Sequence, residues 1–275
     1  MHKDFLAALG LASAGCVLTT TCAAQLALSS NSANAIVQNR RDANSTALQR
    51  KAEGEAEGLQ RTKVEEPPAA TLSLGIGYEN GESGSRSLSV PFAVDYSTGA
   101  WYLALGGGVT SARSQSGHDR GWNDLSITGS YTFTSRDARW QWTPTLSVSM
   151  PAGGEVGSRR SIQTADVSLS FKPNREWKLY GDVSLAHDND SIDEVSRYSR
   201  GAYVKGEYFW SEATSGSLKI ERSLTSGKRG TTSSALEFDF PLSRQPALSA
   251  LLILSRTWTQ GVRSTGLEFD LTYGF

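Results

Sequence analysis

The sequence predicts an all-β fold: a transmembrane, antiparallel, up-and-down β-barrel of about 12 strands. Three observations predict it. Large apolar side chains alternate with small or polar ones from Thr71 onward, the connections alternate between short and long, and aromatic residues gather beside the short ones. Because a strand turns successive side chains to opposite faces, a period of two gives each strand one face suited to lipid.

The C-terminal strand shows this alternation most clearly. Glu268 and Asp270 lie between large apolar residues, so one face is apolar and the other carries carboxylates. The same polarity predicts earlier strands at 72–78, 88–96, 101–109, 125–133, 140–150, 167–171, 179–185, 202–210, 218–224 and 236–242. The eleventh strand, around Leu248 to Trp258, is ambiguous in register because residues 251–254 are apolar on both faces.

The predicted connections alternate in length. Short turns are expected at Ser97–Gly99, Ser135–Asp137, Pro173–Arg175 and Ser211–Ala213, and longer connections at Ser111–Gly121, Gly153–Ser161 and Asp188–Arg200. Outer-membrane barrels have short periplasmic turns and long outer loops. This pattern therefore predicts that the N-terminal segment and the C-terminus of the barrel both lie in the periplasm.

Aromatic residues mark the short-turn end. Outer-membrane barrels carry aromatic girdles at the membrane boundaries, whereas a soluble β-sandwich, the alternative fold, would scatter its rings along the strands. Trp122 and Trp258 lie near the opposite end. The residues beside the short turns are Tyr96, Trp101, Phe133, Trp140, Phe171, Trp177 and Trp210.

The N-terminus is predicted to be a cleavable signal peptide over residues 1–24. Lys3 precedes an apolar run from Phe5 to Val17, and Cys22-Ala23-Ala24 supplies the small residues that favour cleavage before Gln25. The run is too short for a transmembrane helix. The alternatives are a buried N-terminal helix and lipoprotein processing at Cys16. Cleavage after Ala24 leaves no cysteine, which excludes disulfides and thiol chemistry.

Residues 25–69 are expected to form a polar periplasmic linker, partly helical over Asp42–Leu59, ahead of a barrel spanning 70–275. A short coiled coil and a helix that plugs the lumen are the alternatives. Overall hydrophobic content is 38% and the net charge is -1, with no marked Lys/Arg cluster. This composition excludes a nucleic-acid partner, and its low hydropathy is compatible with a barrel, which is apolar on one face only.

The inward face carries the candidate functional residues. A charged side chain at mid-depth on the lipid face costs about 2–4 kcal/mol for a base and less for an acid, so the charges should face the lumen. Acids outnumber bases there, which favours cations in a water-filled lumen. The alternative is that these groups pair and fill the interior. The candidates are Asp166, Asp182, Lys205, Glu207, Lys219, Glu221, Glu237, Asp239, Glu268 and Asp270.

The sequence predicts no catalytic residue, metal or cofactor. His118 and His187 are the histidines left after cleavage, and both fall in predicted outer loops. A phospholipase-like hydrolase would need a serine within hydrogen-bond reach of a histidine, but Asn189 stands two residues after His187. The acidic segment Asp188–Glu194 is expected to be a solvated loop rather than a Ca²⁺ site.

Two resemblances extend this interpretation. Leu267, Phe269, Leu271, Tyr273 and the terminal Phe275 resemble the C-terminal signal by which the barrel-assembly machinery recognises its clients. Residues 121–131 (GWNDLSITGSY) and 146–154 (LSVSMPAGG) resemble two strand motifs of the phenol-degradation (MetA-pathway) outer-membrane family. Asn123, Met150, Ala152 and Gly154 depart from its pattern.

That second resemblance implies an outer-membrane channel for small, often aromatic, compounds. Together with the acidic lumen, it predicts a passive, porin-like channel for small solutes, hydrophobic, aromatic or cationic, in a Gram-negative outer membrane. The expected partners are membrane lipid, the assembly machinery and the solute. A structural or anchoring barrel whose periplasmic segment binds a partner is the alternative, and the hydrolase is a third.

Overall fold

The computed structural model describes residues 69–82, 84–114, 117–152, 161–189, 197–211, 214–225, 230–243, 247–259 and 262–274. They form strands and short connections. The strands are β1 (Ala69–Gly81), β2 (Arg86–Thr98), β3 (Trp101–Ser114), β4 (Gly117–Trp122), β5 (Leu125–Tyr131), β6 (Phe133–Thr134), β7 (Trp140–Met150), β8 (Ser161–Phe171), β9 (Trp177–Asn189), β10 (Arg197–Phe209), β11 (Ser215–Thr225), β12 (Thr231–Ser243), β13 (Ala247–Thr259) and β14 (Val262–Gly274).

The strands form one closed antiparallel barrel. β4, β5 and β6 follow one another along a single barrel strand between β3 and β7, so the wall has 12 strands. The first and last strands pair directly, with Leu74 opposite Leu271, and this pairing closes the sheet. The predicted strand count and barrel class are confirmed, and the closed wall excludes the two-sheet sandwich.

The division between β4 and β5 is a β-bulge. Trp122 pairs with Val109 and Ser126 with Gly106, so this strand holds one residue more than β3 over the same length. Both Asn123 and Asp124 are buried, and the Asn123 N–H donates to the Gly108 carbonyl at 2.8 Å. The bulge thus restores the outward position of Leu125 after two polar residues have turned inward.

The two faces of the wall differ sharply in chemistry. The outer face carries exposed Leu, Val, Ile and aromatic side chains, and the inner face carries Ser, Thr, Gly and ionisable residues. The ambiguous register of β13 is resolved by its partner: Ile253 lies opposite Glu237 and Leu254 opposite Leu236. Leu252 and Leu254 therefore face outward, whereas Leu251 and Ile253 face the interior.

The short connections gather at one end of the barrel, where Ala69 and Gly274 also lie.

The connection between β6 and β7 is stabilised by hydrogen bonds among its own polar groups. Ser135 N–H donates to the Trp140 carbonyl at 2.9 Å, and the Ser135 hydroxyl donates to Asp137 at 2.5 Å. Ala138 has a left-handed φ of 55°. The carboxylate of Asp137 has a pKa below its ordinary value, chiefly because the Ser135 hydroxyl stabilises the charged form.

One predicted loop is wrong. Ser111–Gly121 was expected to be a long outer connection, but β3 continues to Ser114 and β4 starts at Gly117, with Ser111 paired to Arg120. The chain keeps its strand pairing there because the two strands of a hairpin hydrogen-bond each other's backbone N–H and C=O groups, inside or outside the membrane. The sequence signal was weak because both faces of this hairpin are polar.

The connection expected at Asp188–Arg200 is shorter than predicted, because both residues lie within strands, Asp188 in β9 and Arg200 in β10. The connection expected at Gly153–Ser161 lies where it was predicted, between Met150 at the end of β7 and Ser161 at the start of β8. The predicted signal peptide, the linker up to residue 68 and Phe275 lie outside the described residues. Over the part of the chain that is described, no helix is long and apolar enough to span a membrane.

Candidate functional site

The barrel interior brings the ten sequence-predicted ionisable residues onto one face. The strand registers and the alternation of burial place every one of them inside the wall. Asp182, Lys205, Glu237 and Asp270 are buried, and the others are partly buried. They face inward because each lies next to an outward apolar residue in its strand, and successive side chains of a strand point to opposite faces.

An ion pair links β10 to β12 across β11. Lys205 Nζ lies 2.8 Å from Glu237 Oε2, and both side chains are 7% exposed. The Ser217 hydroxyl donates to the same carboxylate oxygen at 2.9 Å. A buried charge is tolerated only with such partners, so these contacts fix both side chains against the wall. A second pair, Lys219 with Glu221 at 3.0 Å, lies on β11 and is more exposed.

Large buried side chains line the half of the interior nearer the short turns. Lys178 is fully buried, with Nζ 3.4 Å from Gln141 Oε1 and 4.8 Å from the centre of the Tyr180 ring. The Tyr180 hydroxyl donates to Glu207 at 2.8 Å. Tyr102 is also almost fully buried. We call Tyr102, Gln141, Lys178 and Tyr180 the interior layer.

A cavity of about 200 Å³ occupies the other half, toward the end opposite the short turns. Serine and threonine hydroxyls of β11, β12 and β13 line much of it. Its ionisable lining residues are Glu79, Lys219, Glu221, Glu237 and Glu268. With four carboxylates and one lysine, the cavity has an acidic lining, and Glu237 joins it to the buried ion pair with Lys205.

A glycine on β1 makes room for a carboxylate of β14. Gly75 lies opposite Asp270 and Gly77 opposite Glu268. A Cβ at Gly75 would overlap the Asp270 carboxylate and would lie 3.1 Å from Pro91 Cγ. The absence of a side chain at Gly75 therefore lets the Asp270 carboxylate lie against the wall, whereas a Cβ at Gly77 would lie 2.7 Å from the Ser89 hydroxyl oxygen.

Sequence reasoning missed several interior residues. Glu79, Asp95 and Lys178 share the inward face, and Thr71 donates to Asp95 at 2.6 Å. The alternation of the sequence could have predicted this orientation, since Lys178 lies between the outward residues Trp177 and Leu179. Tyr102, Tyr180 and Tyr203 were missed because aromatics suggested the lipid face, yet all three point inward.

The two described histidines lie on the outer face of the barrel, on different strands. His187 was expected in a loop, but it lies on the outer face of β9, with its ring 4.8 Å from Tyr198. His118 lies on β4, and its Nε2 is 2.9 Å from the Ser111 hydroxyl. A catalytic pair also needs a group that orients the histidine, and the described outer face has no carboxylate to do so. Among the described residues, no His, Cys, Asp and Glu group is arranged to hold a metal ion.

Aromatic contacts run around the short-turn rim on the outer face. Phe133 stacks on Trp142 at 4.1 Å, and Trp140 stacks on Phe171 at 4.3 Å. Further ring contacts join Trp101 to Tyr131, Tyr131 to Phe133, Trp177 to Tyr208 and Tyr208 to Trp210. This placement suits rings at a water–lipid boundary.

Comparison with solved structures identifies the fold. The chain is similar to the COG4313 outer membrane channel from Pseudomonas putida F1, with a TM-score of 0.62 and 14% identity over 79% of this chain and 98% of that one. It has the fold of outer-membrane β-barrel channels. The chain is also similar to the NanC porin, with a TM-score of 0.56 and 10% identity over 74% of this chain and 98% of that one.

An autotransporter barrel matches as well. The translocator domain of NalP from Neisseria meningitidis gives a TM-score of 0.50, with 10% identity over 89% of this chain and 99% of that one. No family model and no curated protein sequence matches the chain. Structural similarity at such low sequence identity establishes the fold alone, and that fold confirms the predicted outer-membrane barrel class. The solute has to be argued from the interior of this barrel.

Proposed function

We propose that the protein is a passive outer-membrane channel for small solutes, and that it favours cations over anions. The acidic, hydroxyl-lined cavity beside the Lys205–Glu237 pair is the observation that supports this proposal. Carboxylates lining a wet passage attract cations and repel anions. The channel fold of the solved structures agrees with it.

The interior layer supplies the constriction of this channel. Its tyrosines and Lys178 lie between the cavity and the short turns, and their contacts hold them in place. A passage there would carry solutes past the Tyr180 ring and the Glu207 carboxylate. The Glu207 carboxylate on this path attracts small cations. The aromatic compounds implied by the family resemblance are the other solute class to test.

Planar-bilayer recording of the refolded mature chain tests the channel. We expect discrete conductance steps and, in a KCl gradient, a reversal potential of the sign that cation selectivity gives. A second protein lacking residues 25–69 reports on that segment: steps seen only after truncation indicate a plug. Absence of conductance in both proteins would overturn the channel proposal in favour of the closed anchoring barrel, which the large buried side chains of the interior layer make the second candidate.

The orientation and assembly of the barrel belong to the same proposal. We infer that the short turns and both ends of the barrel face the periplasm, since outer-membrane barrels have that arrangement. The outward stripe Leu267, Phe269, Leu271 and Tyr273 on β14 is proposed, with Phe275, as the signal for the barrel-assembly machinery. Protease access to a tag inserted at Gly99, tested in intact and permeabilised cells, checks the orientation.

A further inference from the structure

The charged side chains on the outer face of the described strands are all basic, and all of them lie toward one end of the barrel. Among the strand side chains that the structure describes, no Asp, Glu or Lys faces outward. Seven arginines do, and they lie in the half farther from the short turns: Arg86, Arg113, Arg120, Arg200, Arg222, Arg256 and Arg263. We call these seven residues the arginine belt. His118 and His187 also face outward in this half.

The belt lies about one membrane thickness from the aromatic girdle. On β2, Arg86 and Tyr96 both face outward and are ten residues apart. At about 3.3 Å per residue and a tilt of about 40°, that separation is about 25 Å along the barrel axis, which is the height of the apolar band of outer-membrane barrels. The belt therefore lies at the headgroup level of the leaflet opposite the girdle.

Neighbouring strands bring basic side chains directly opposite one another. Arg86 pairs with Arg113, and Arg113 pairs in turn with His118 on the next strand. Side chains in such positions have their Cβ atoms about 5 Å apart, and like charges there repel. No ion pair joins these arginines to a carboxylate within the described part of the chain. An anion between the side chains would turn this repulsion into attraction.

The chemistry of the belt selects phosphate. The guanidinium group binds phosphate through two parallel N–H donors, whereas a lysine ammonium acts as a point charge. The belt contains arginine alone. Arg256 also lies over the Trp258 ring at 5.4 Å, a contact that keeps a guanidinium at the membrane boundary.

We propose that the arginine belt binds the phosphate groups of the glycolipid in the outer leaflet, a lipopolysaccharide. The occupant is a phosphorylated glycolipid rather than a phospholipid, because the belt lies opposite the girdle and the short turns, at the end that the proposed orientation turns toward the cell exterior. The adjacent arginines of β2, β3 and β4 form its densest part. The inference does not depend on whether the barrel conducts.

Binding of bisphosphorylated lipid A to the detergent-solubilised mature chain, measured by native mass spectrometry, tests this proposal. A basic residue near a charged lipid surface contributes about a fivefold change in affinity, so the variant R86Q/R113Q/R120Q should bind about 100-fold more weakly. The matched control R136Q/R139Q/R175Q removes the same charge from the opposite end, where all three arginines are exposed, and should bind within about threefold of the unmodified protein.

Three results would overturn the proposal. They are undiminished binding by the belt variant, an equal loss in the control, and binding of phosphatidylglycerol as tight as that of lipid A. Heat-modifiable migration on gels confirms that each variant is folded. Should the triple variant fail to fold, R120Q alone supplies the test, with an expected loss of about fivefold. Lipid A lacking its phosphates should bind the unmodified protein about as weakly as the triple variant binds the phosphorylated form.

Discussion

Replacing Glu237 with Gln probes both the stability of the barrel and its ion preference. The substitution keeps the size and a hydrogen-bond acceptor for Ser217, but it removes the charge that faces Lys205 Nζ at 2.8 Å. Lys205 then retains the Tyr180 ring, 5.5 Å from Nζ, as a weaker neighbour. The lysine charge is left in a site where it is 7% exposed.

The expected cost follows from that burial. Removing one partner of a buried ion pair costs about 3–5 kcal/mol, because the remaining charge loses that partner without regaining water. Because the Ser217 hydrogen bond and the Tyr180 ring remain, we expect the free energy of unfolding to fall by about 3 kcal/mol, the lower end of this range. Glu237 also lines the cavity, so the variant should be less selective for cations.

Urea titration of folding in detergent micelles and the reversal potential in a KCl gradient measure the two effects. Glu221→Gln is the matched control, because it also breaks a lysine–glutamate pair but the Glu221 side chain is 41% exposed. Exposed pairs contribute about 0–1 kcal/mol. A loss of stability by Glu237→Gln no larger than that of the control would refute the reasoning from burial. An unchanged reversal potential would remove Glu237 from the conduction argument.

Two further predictions concern the wall and a turn. Gly75→Ala should cost about 2 kcal/mol in the same urea titration, because the added Cβ displaces the Asp270 carboxylate in a packed interior; Gly181→Ala, where a Cβ meets nothing within 4 Å, should be close to neutral, and equal effects would contradict this account. Ser135→Ala should raise the pKa of Asp137 toward its ordinary value of 3.8, as followed by NMR titration of the carboxyl carbon. A carboxyl with a lowered folded-state pKa stabilises the turn above its unfolded pKa, and that contribution is lost as pH falls through the folded value; an unshifted pKa in the variant would exclude the hydroxyl as its cause.

Period-two alternation made the barrel predictable from sequence, because lipid imposes one chemistry on every outward position. The same parity predicted which ionisable residues face inward, including Asp166 and Asp239. It could not predict their partners. Lys205 and Glu237 meet across an intervening strand, which only the registers of β10, β11 and β12 determine.

The prediction failed where lipid no longer acts on the chain. Residues 111–114 pair with residues 117–120 as strands although their side chains are mostly polar on both faces, so alternation carried no signal there. The bulge at Asn123 and Asp124 had a readable sign, since two polar residues separate the outward residues Trp122 and Leu125. A shift of parity inside an otherwise regular strand predicts one extra residue.

Lysine and arginine are divided between the two faces, and this division supports separate roles for them. Among the strand side chains that the structure describes, Lys178, Lys205 and Lys219 face inward, each beside a tyrosine ring or a carboxylate of the protein. The arginine belt faces outward, where the described strand residues include no carboxylate. If arginines were placed only to end the apolar band, lysine would serve equally well, since both side chains can extend their charge into the headgroups. A belt made of arginine alone therefore favours a role in binding phosphate over a role in only placing charge at the aqueous boundary.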